Sequence, residues 1–170
     1  MIKAYFVGDK ISSTSQMGFS MYEKSRWGEK KGKKVEYGGV EVLYLVETGK
    51  MEVFQGRKEL DFDALLRKLK RKDKKIETKL AVFGNLRKKG YVVKTALKFG
   101  TEFRVYDKGV KPGEDHAKWI LFVVRENEQM NWHDFSAKSR VAHSTRKNLL
   151  LGIVDEEGDV TFYEVGWRKV

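Results

Sequence analysis

The eight residues from Ala117 to Val124, Ala-Lys-Trp-Ile-Leu-Phe-Val-Val, are apolar at every position but one. A run of that length suits a strand buried on both faces of a sheet, and it is far too short to cross a bilayer as a helix. The periodicity differs on either side of it. Upstream, Asp61 precedes Phe62, Leu65, Leu66 and Leu69, an i, i+3, i+4, i+7 spacing that predicts a helix with an N-terminal cap. A second helix is predicted over residues 76–89, with Leu80, Phe83 and Leu86 or Ala81 facing inward and Gly90 closing it. Downstream, residues 91–97 and 102–106 alternate as strands, and Asn131 or Asp134 caps a helix running to Ser144. Residues 149–154 and 160–165 then make a hairpin across Asp155-Glu156-Glu157-Gly158-Asp159, with Gly158 supplying the positive φ. Strands flanked by helices in this order give an α/β (α+β) layer with a central mixed sheet.

The first half reads as a smaller mixed α/β domain. Residues 2–8 make a strand, Ser12 to Gln16 form a polar turn able to cap a short helix, and Lys30 to Lys34 form a flexible basic loop. Residues 40–46 make a short helix ending at Gly49. The expected division is an N-terminal domain over residues 1–75 and a C-terminal domain over 76–170.

Charge narrows the partner. Lys and Arg number 35 against 24 acidic residues, a net +11. The excess is spread along the chain, +7 in residues 1–80 and +4 in the remainder. A basic, well-mixed sequence points to a folded protein meeting a polyanion. No basic amphipathic anchor or export segment is visible, so the polyanion expected is a nucleic acid, and the expected location is the cytoplasm. Cysteine is absent, which removes disulfides and thiolate metal sites. The high charged fraction and single proline fit a heat-adapted intracellular protein.

Metal-dependent chemistry finds little in this sequence. The three histidines, His116, His133 and His143, are dispersed, unlike a zinc site. A carboxylate pattern of the restriction-nuclease type occurs nominally at Asp73 and Glu77-Thr78-Lys79. It falls on a basic helix where a central strand is needed, so no metal or other cofactor is expected. RNA, by contrast, carries its own nucleophile in the 2′-hydroxyl. Cleaving it needs a base for that proton, an acid for the 5′-oxygen, and a cation for the developing phosphorane charge. Histidine suits the acid and lysine suits the cation. Tyrosine is a harder fit as the base, because a phenol titrates near pH 10 unless a neighbouring ammonium favours the phenolate.

Three segments in the second half supply these residue types in order. Phe103-Arg104-Val105-Tyr106 ends a strand. His116 opens the next strand after a loop holding Gly109, Pro112 and Gly113, and Lys147 closes Val141-Ala142-His143-Ser144-Thr145-Arg146-Lys147. In these segments the chain resembles the archaeal tRNA-intron (tRNA-splicing) endonucleases of the short, homotetrameric type. The resemblance covers nearly the whole C-terminal half; in the N-terminal half it rests on length and pattern. It implies a nuclease domain over 76–170 and an N-terminal domain serving assembly.

The resemblance also assigns roles: Tyr106 as base, His116 as acid and Lys147 as charge stabiliser. It places Arg140 against a bulged base by stacking, with Trp167 or Arg168 on the base's other side. Trp167 also continues the alternation of the last strand, which offers it a place in the core instead. The turn bearing Asp155, Glu156, Glu157 and Asp159 is implied to dock into a basic pocket of another subunit. His133 is expected at the surface and His143 in packing or hydrogen bonding at a helix end. The implied substrate is precursor tRNA folded as a bulge-helix-bulge, cut without metal to leave a 2′,3′-cyclic phosphate and a 5′-hydroxyl. Two ribonucleic alternatives stand beside it: a non-catalytic RNA-binding subunit of such an enzyme, which would lack one of the trio that this chain retains, and another metal-free ribonuclease. A DNA-binding module would need a helix-turn-helix or zinc signature, and neither is present.

Overall fold

The computed structural model describes residues 1–96 and 102–170. The predicted strand reaching Leu97 therefore ends, in part, outside the described residues. The chain divides into two compact units, Met1–Leu80 and Ala81–Val170, each with its own sheet. Among the described residues no helix is long and apolar enough to cross a membrane.

The first unit carries six strands: β1 (Ile2–Val7), β2 (Lys10–Ser13), β3 (Glu29–Lys31), β4 (Lys34–Tyr37), β5 (Met51–Gln55) and β6 (Lys58–Leu60). Their order is β3-β4-β2-β1-β5-β6, with β1 and β5 parallel. Helices α1 (Gln16–Ser25), α2 (Gly39–Glu47) and α3 (Phe62–Lys70) complete it. Strand β1 alternates buried Ile2, Ala4 and Phe6 with exposed Lys3, Tyr5 and Val7, so one face of the sheet is covered. Two predictions are corrected here. Ser12 and Ser13 lie in β2, paired with β1, and not in a turn, although the predicted segment does cap α1, through Ser15, whose hydroxyl accepts from the Gly18 N–H at 3.2 Å. The basic segment at 30–34 is a hairpin of β3 and β4 turning at Gly32 (φ 60°), pinned by fully buried Val35. Asp61 caps α3 through the Ala64 N–H at 2.8 Å, and Gly49 (φ 67°) follows α2, as their sequence positions predict.

The second unit holds β7 (Val92–Thr95), β8 (Phe103–Tyr106), β9 (Trp119–Arg125), β10 (Asn148–Val154) and β11 (Val160–Val165), in the order β11-β10-β9-β8-β7. All neighbours are antiparallel except β9 and β10. Helix α4 (Ile76–Lys88) begins before the division between the units and ends within the second; α5 (Trp132–Ser144) connects the parallel pair. Strand parity sends successive side chains to opposite faces. Ile120, Phe122 and Leu149 meet Ala142 of α5, while Phe103 meets Phe83 of α4 with ring centroids 5.8 Å apart. The apolar run of β9 is thus buried from both sides. Val82, not Leu80 or Ala81, joins Phe83 and Leu86 in the core. Gly152 lies beneath it: a Cβ there would meet Val82 Cγ1 at 2.9 Å, so only glycine lets helix and sheet approach this closely.

Candidate active site

Topology decides which strand ends meet. Strand β8 runs antiparallel to β9, so its last residue, Tyr106, lies at the end where β9 begins. Strand β10 is parallel to β9, so the residue before it, Lys147, reaches the same end. The segment leading into β9 brings His116 there too, three residues before Trp119 and not at the opening of the strand itself. Tyr106, His116 and Lys147 accordingly line one cavity of about 370 Å³, together with Arg104, Gly113, Glu114, Asp115 and Ala117.

Each side chain is held by a different local device. Tyr106 is 5% exposed, packed through its ring, and its hydroxyl makes no hydrogen bond to any described residue. His116 is exposed at the end of a loop whose conformation is internally fixed. The Val110 N–H donates to Asp107 O at 3.1 Å, the Glu114 N–H to Lys111 O at 3.0 Å, and the His116 N–H to Asp115 Oδ1 at 2.7 Å. At the loop's base Lys118 Nζ pairs with Asp107 Oδ2 at 3.1 Å. The Lys108 N–H, then the Lys118 ammonium, hold the Asp107 carboxyl below its ordinary range.

Lys147 is set by the end of α5. The Arg146 N–H bonds His143 O at 3.0 Å and the Lys147 N–H bonds Ala142 O at 2.9 Å, the paired bonds of a Schellman motif. Lys147 Nζ donates to Thr145 O at 3.0 Å. The left-handed position of that motif, usually glycine, is Arg146 at φ 55°. A left-handed non-glycine residue costs about 1–2 kcal/mol, and glycine's extra freedom in the unfolded chain returns about 0.4–1 kcal/mol of that. Arg146→Gly is therefore expected to raise the calorimetric midpoint by about 1–3 °C; a lowered midpoint would mean that the arginine side chain supports the fold.

Of the other predicted site residues, Arg140 and the segment of Trp167 and Arg168 lie around the same end of the sheet. Helix α5 links the parallel strands, so its C-terminal turns, which carry Arg140, approach the start of β10. Arg140 is exposed and has no hydrogen bond or ion pair among the described residues. His143, one turn further along, stands 4.2 Å from the Trp167 ring between centroids. The alternative of a core position for Trp167 is corrected: it lies beyond the end of β11 and is 55% exposed. Arg168 follows it in the exposed C-terminal segment. His133 sits exposed in the first turn of α5, and Asn131 provides the cap through the Asp134 N–H at 2.8 Å.

The acidic turn lies elsewhere. Strand β10 carries the chain from Lys147 to Asp155 over seven residues, roughly 20 Å at strand rise. Asp155, Glu156, Glu157 and Asp159 thus occupy the opposite end of the sheet. Asp155 Oδ1 accepts from the Glu157 and Asp159 N–H groups at 3.0 and 2.8 Å, and Glu126 Oε1 accepts from the Glu156 N–H at 3.2 Å. Asp73 and Glu77 are tied in ion pairs, to Lys79 at 2.7 Å and to Lys70. Among the described residues no three His, Asp or Glu side chains converge as a metal site would require.

Sequence reasoning passed over Arg104, Glu114 and Asp115 as cavity residues. Arg104 was legible by parity, since it precedes Tyr106 by two on one strand and so shares its face.

Comparison with known proteins points to one family. The model of the tRNA intron endonuclease catalytic C-terminal domain matches residues 76–162, and that of the N-terminal domain matches residues 2–66. A tRNA-splicing endonuclease of Pyrococcus horikoshii is 41% identical over 169 residues, covering 99% of this chain and 97% of the relative. That of Thermococcus kodakarensis is 40% identical over 99% of each chain. A more distant one, from Methanothermobacter thermautotrophicus, is 32% identical over 96% of each. With both domain models matched in order and relatives aligned nearly end to end, the chain belongs to the tRNA intron endonuclease family.

Proposed function

We propose that this chain is an endoribonuclease that removes introns from precursor tRNA, cutting both boundaries of a bulge-helix-bulge by transesterification without metal. The observation that carries the reading is the convergence of Tyr106, His116 and Lys147, from three separate segments, on one cavity. Family membership supplies the substrate class, and the net charge of +11 suits a polyanion.

In this mechanism the 2′-hydroxyl beside the scissile phosphate gives its proton to the Tyr106 phenolate oxygen. The 2′-oxygen bonds to phosphorus, the bond from phosphorus to the 5′-oxygen breaks, and His116, protonated, delivers its proton to that leaving oxygen. The products are a 2′,3′-cyclic phosphate and a 5′-hydroxyl. Lys147 opposes the charge that builds on the phosphorane. Arg140 stacks on a bulged base, with Trp167 or Arg168 on its other side, and so fixes the scissile phosphate near the trio. The substrate is read by shape and splayed bases. Residues 1–75 serve assembly and present a basic surface, and residues 76–170 carry catalysis. The working assembly is a homotetramer, a dimer of dimers, with the acidic turn docked into a neighbouring subunit.

The test is incubation of the purified chain with a bulge-helix-bulge RNA in excess EDTA. Two cuts are expected, with cyclic-phosphate and 5′-hydroxyl ends. Cleavage that appears only on adding Mg²⁺, or that falls equally on fully paired RNA, would overturn the proposal.

A further inference from the structure

We infer that Arg104 is a further substrate-binding residue of the cavity, gripping the RNA phosphate next to the scissile one. The inference rests on reading that cavity as the cleavage site.

Arg104 and Tyr106 stand two residues apart on β8, on one face, and both line the cavity. Two strand residues span about 7 Å, on the order of one nucleotide step along an RNA backbone. An arginine at that offset from the base therefore faces the flanking phosphate, while Lys147 faces the scissile one. Its guanidinium is already oriented. Nε donates to Thr95 O at 3.3 Å, and the two terminal amino groups have no hydrogen bond or ion pair among the described residues. That leaves a planar pair of donors free for the two oxygens of a phosphate.

Charge gives a second, independent reason. Glu114 and Asp115 line the same cavity, and both are acids that repel a phosphodiester. Lys147 alone would leave two carboxylates facing one fixed cation; with Arg104 the fixed charges balance. A phosphodiester brought against two carboxylates needs that second cation to offset their repulsion.

The experiment couples a protein change to a change at one phosphate. Bulge-helix-bulge RNAs carry a single neutral methylphosphonate, moved in turn along the linkages flanking each scissile bond, and are cleaved in EDTA with enzyme in excess but below saturation. Arg104→Ala is expected to slow cleavage of unmodified RNA by about 10- to 100-fold, the scale of one charge-assisted contact. At one flanking linkage the methylphosphonate should slow the wild type by a similar factor and the variant no further, because the two changes remove the same contact. Arg104→Lys, which keeps the charge and loses the fork, should fall between. Thermal midpoints show whether each variant is folded; if the alanine variant is not, the lysine variant carries the same comparison. Losses that multiply at every flanking linkage, or wild-type rates in Arg104→Ala, would overturn the assignment. His116→Ala measured in parallel separates the two levels: wild-type cleavage there overturns the reading of the cavity itself, whereas abolished cleavage with multiplicative Arg104 losses overturns only the phosphate contact.

Discussion

Replacing His116 with alanine is expected to lower the single-turnover cleavage rate by about 100- to 10,000-fold, the range over which a positioned acid contributes. Affinity for the RNA should change little. His116 is exposed at the cavity rim and its backbone N–H, not its ring, is the group bonded to Asp115. Removing the imidazole therefore leaves the Asp107–Lys118 base of the loop and the turn at Gly113 unaltered, and the cavity keeps its shape. The loss should be confined to delivery of a proton to the 5′-oxygen, and two readouts follow. Free imidazole should restore part of the rate, since it fits the space vacated. A substrate whose 5′-leaving group is a good one, such as a 5′-thio linkage, should be cut by the variant almost as fast as by the wild type, because a thiolate leaves without protonation. If the variant is equally slow on both substrates, His116 has some role other than acid.

How far the site was legible depends on which interactions are local. Caps and turns are written in a few adjacent residues, so Asp61, Gly49, Gly90 and Gly158 marked their boundaries directly, and Asn131 was one of two residues offered for its cap. The apolar run of β9 announced a doubly buried strand, and it is buried from both faces. Strand β2 was hidden because its inward residues include Ser13, 1% exposed, whose hydroxyl is satisfied by the carbonyl of Lys3. A serine facing a core mimics a polar turn. Strands β3 and β4 were hidden by their lysines, which point to solvent on an edge hairpin. Strands β5 and β6 left no reading at all, and the parallel pairing of β1 with β5 joins residues about 50 apart, which no local pattern encodes. Trp167 kept the alternation of β11, yet the chain leaves the sheet at Val165 and the indole turns to His143. The trio was legible through residue types in a familiar order. Its convergence was not, because it depends on β8 running against β9 and β9 running with β10.

Neutralising the acidic turn, with Asp155, Glu156, Glu157 and Asp159 all changed to Asn or Gln, is expected to give a folded dimer with little splicing activity. The turn lies roughly 20 Å of strand away from Lys147, so it stands apart from the cavity that Tyr106, His116 and Lys147 line. Its backbone is nonetheless shaped with care. Asp155 accepts from two N–H groups, and Glu126 supports it from the neighbouring strand end by accepting from Glu156. The Asn at 155 retains an acceptor oxygen for the two bonds, so the hairpin should survive the change and the thermal midpoint should move little. What is lost is four negative charges presented together on a protein of +11, and a basic surface on a second copy is their natural complement. If that docking pairs two dimers, activity falls because the two splice sites of one substrate are no longer met at a fixed separation. The same contact should weaken in the wild type as salt rises, since exposed charges are screened within about 8–10 Å at 0.1–0.15 M. Light scattering across a salt series, read beside cleavage of a substrate with two bulges, decides the matter. A neutralised chain that remains a tetramer and still cuts both sites would make the turn a hairpin end and nothing more.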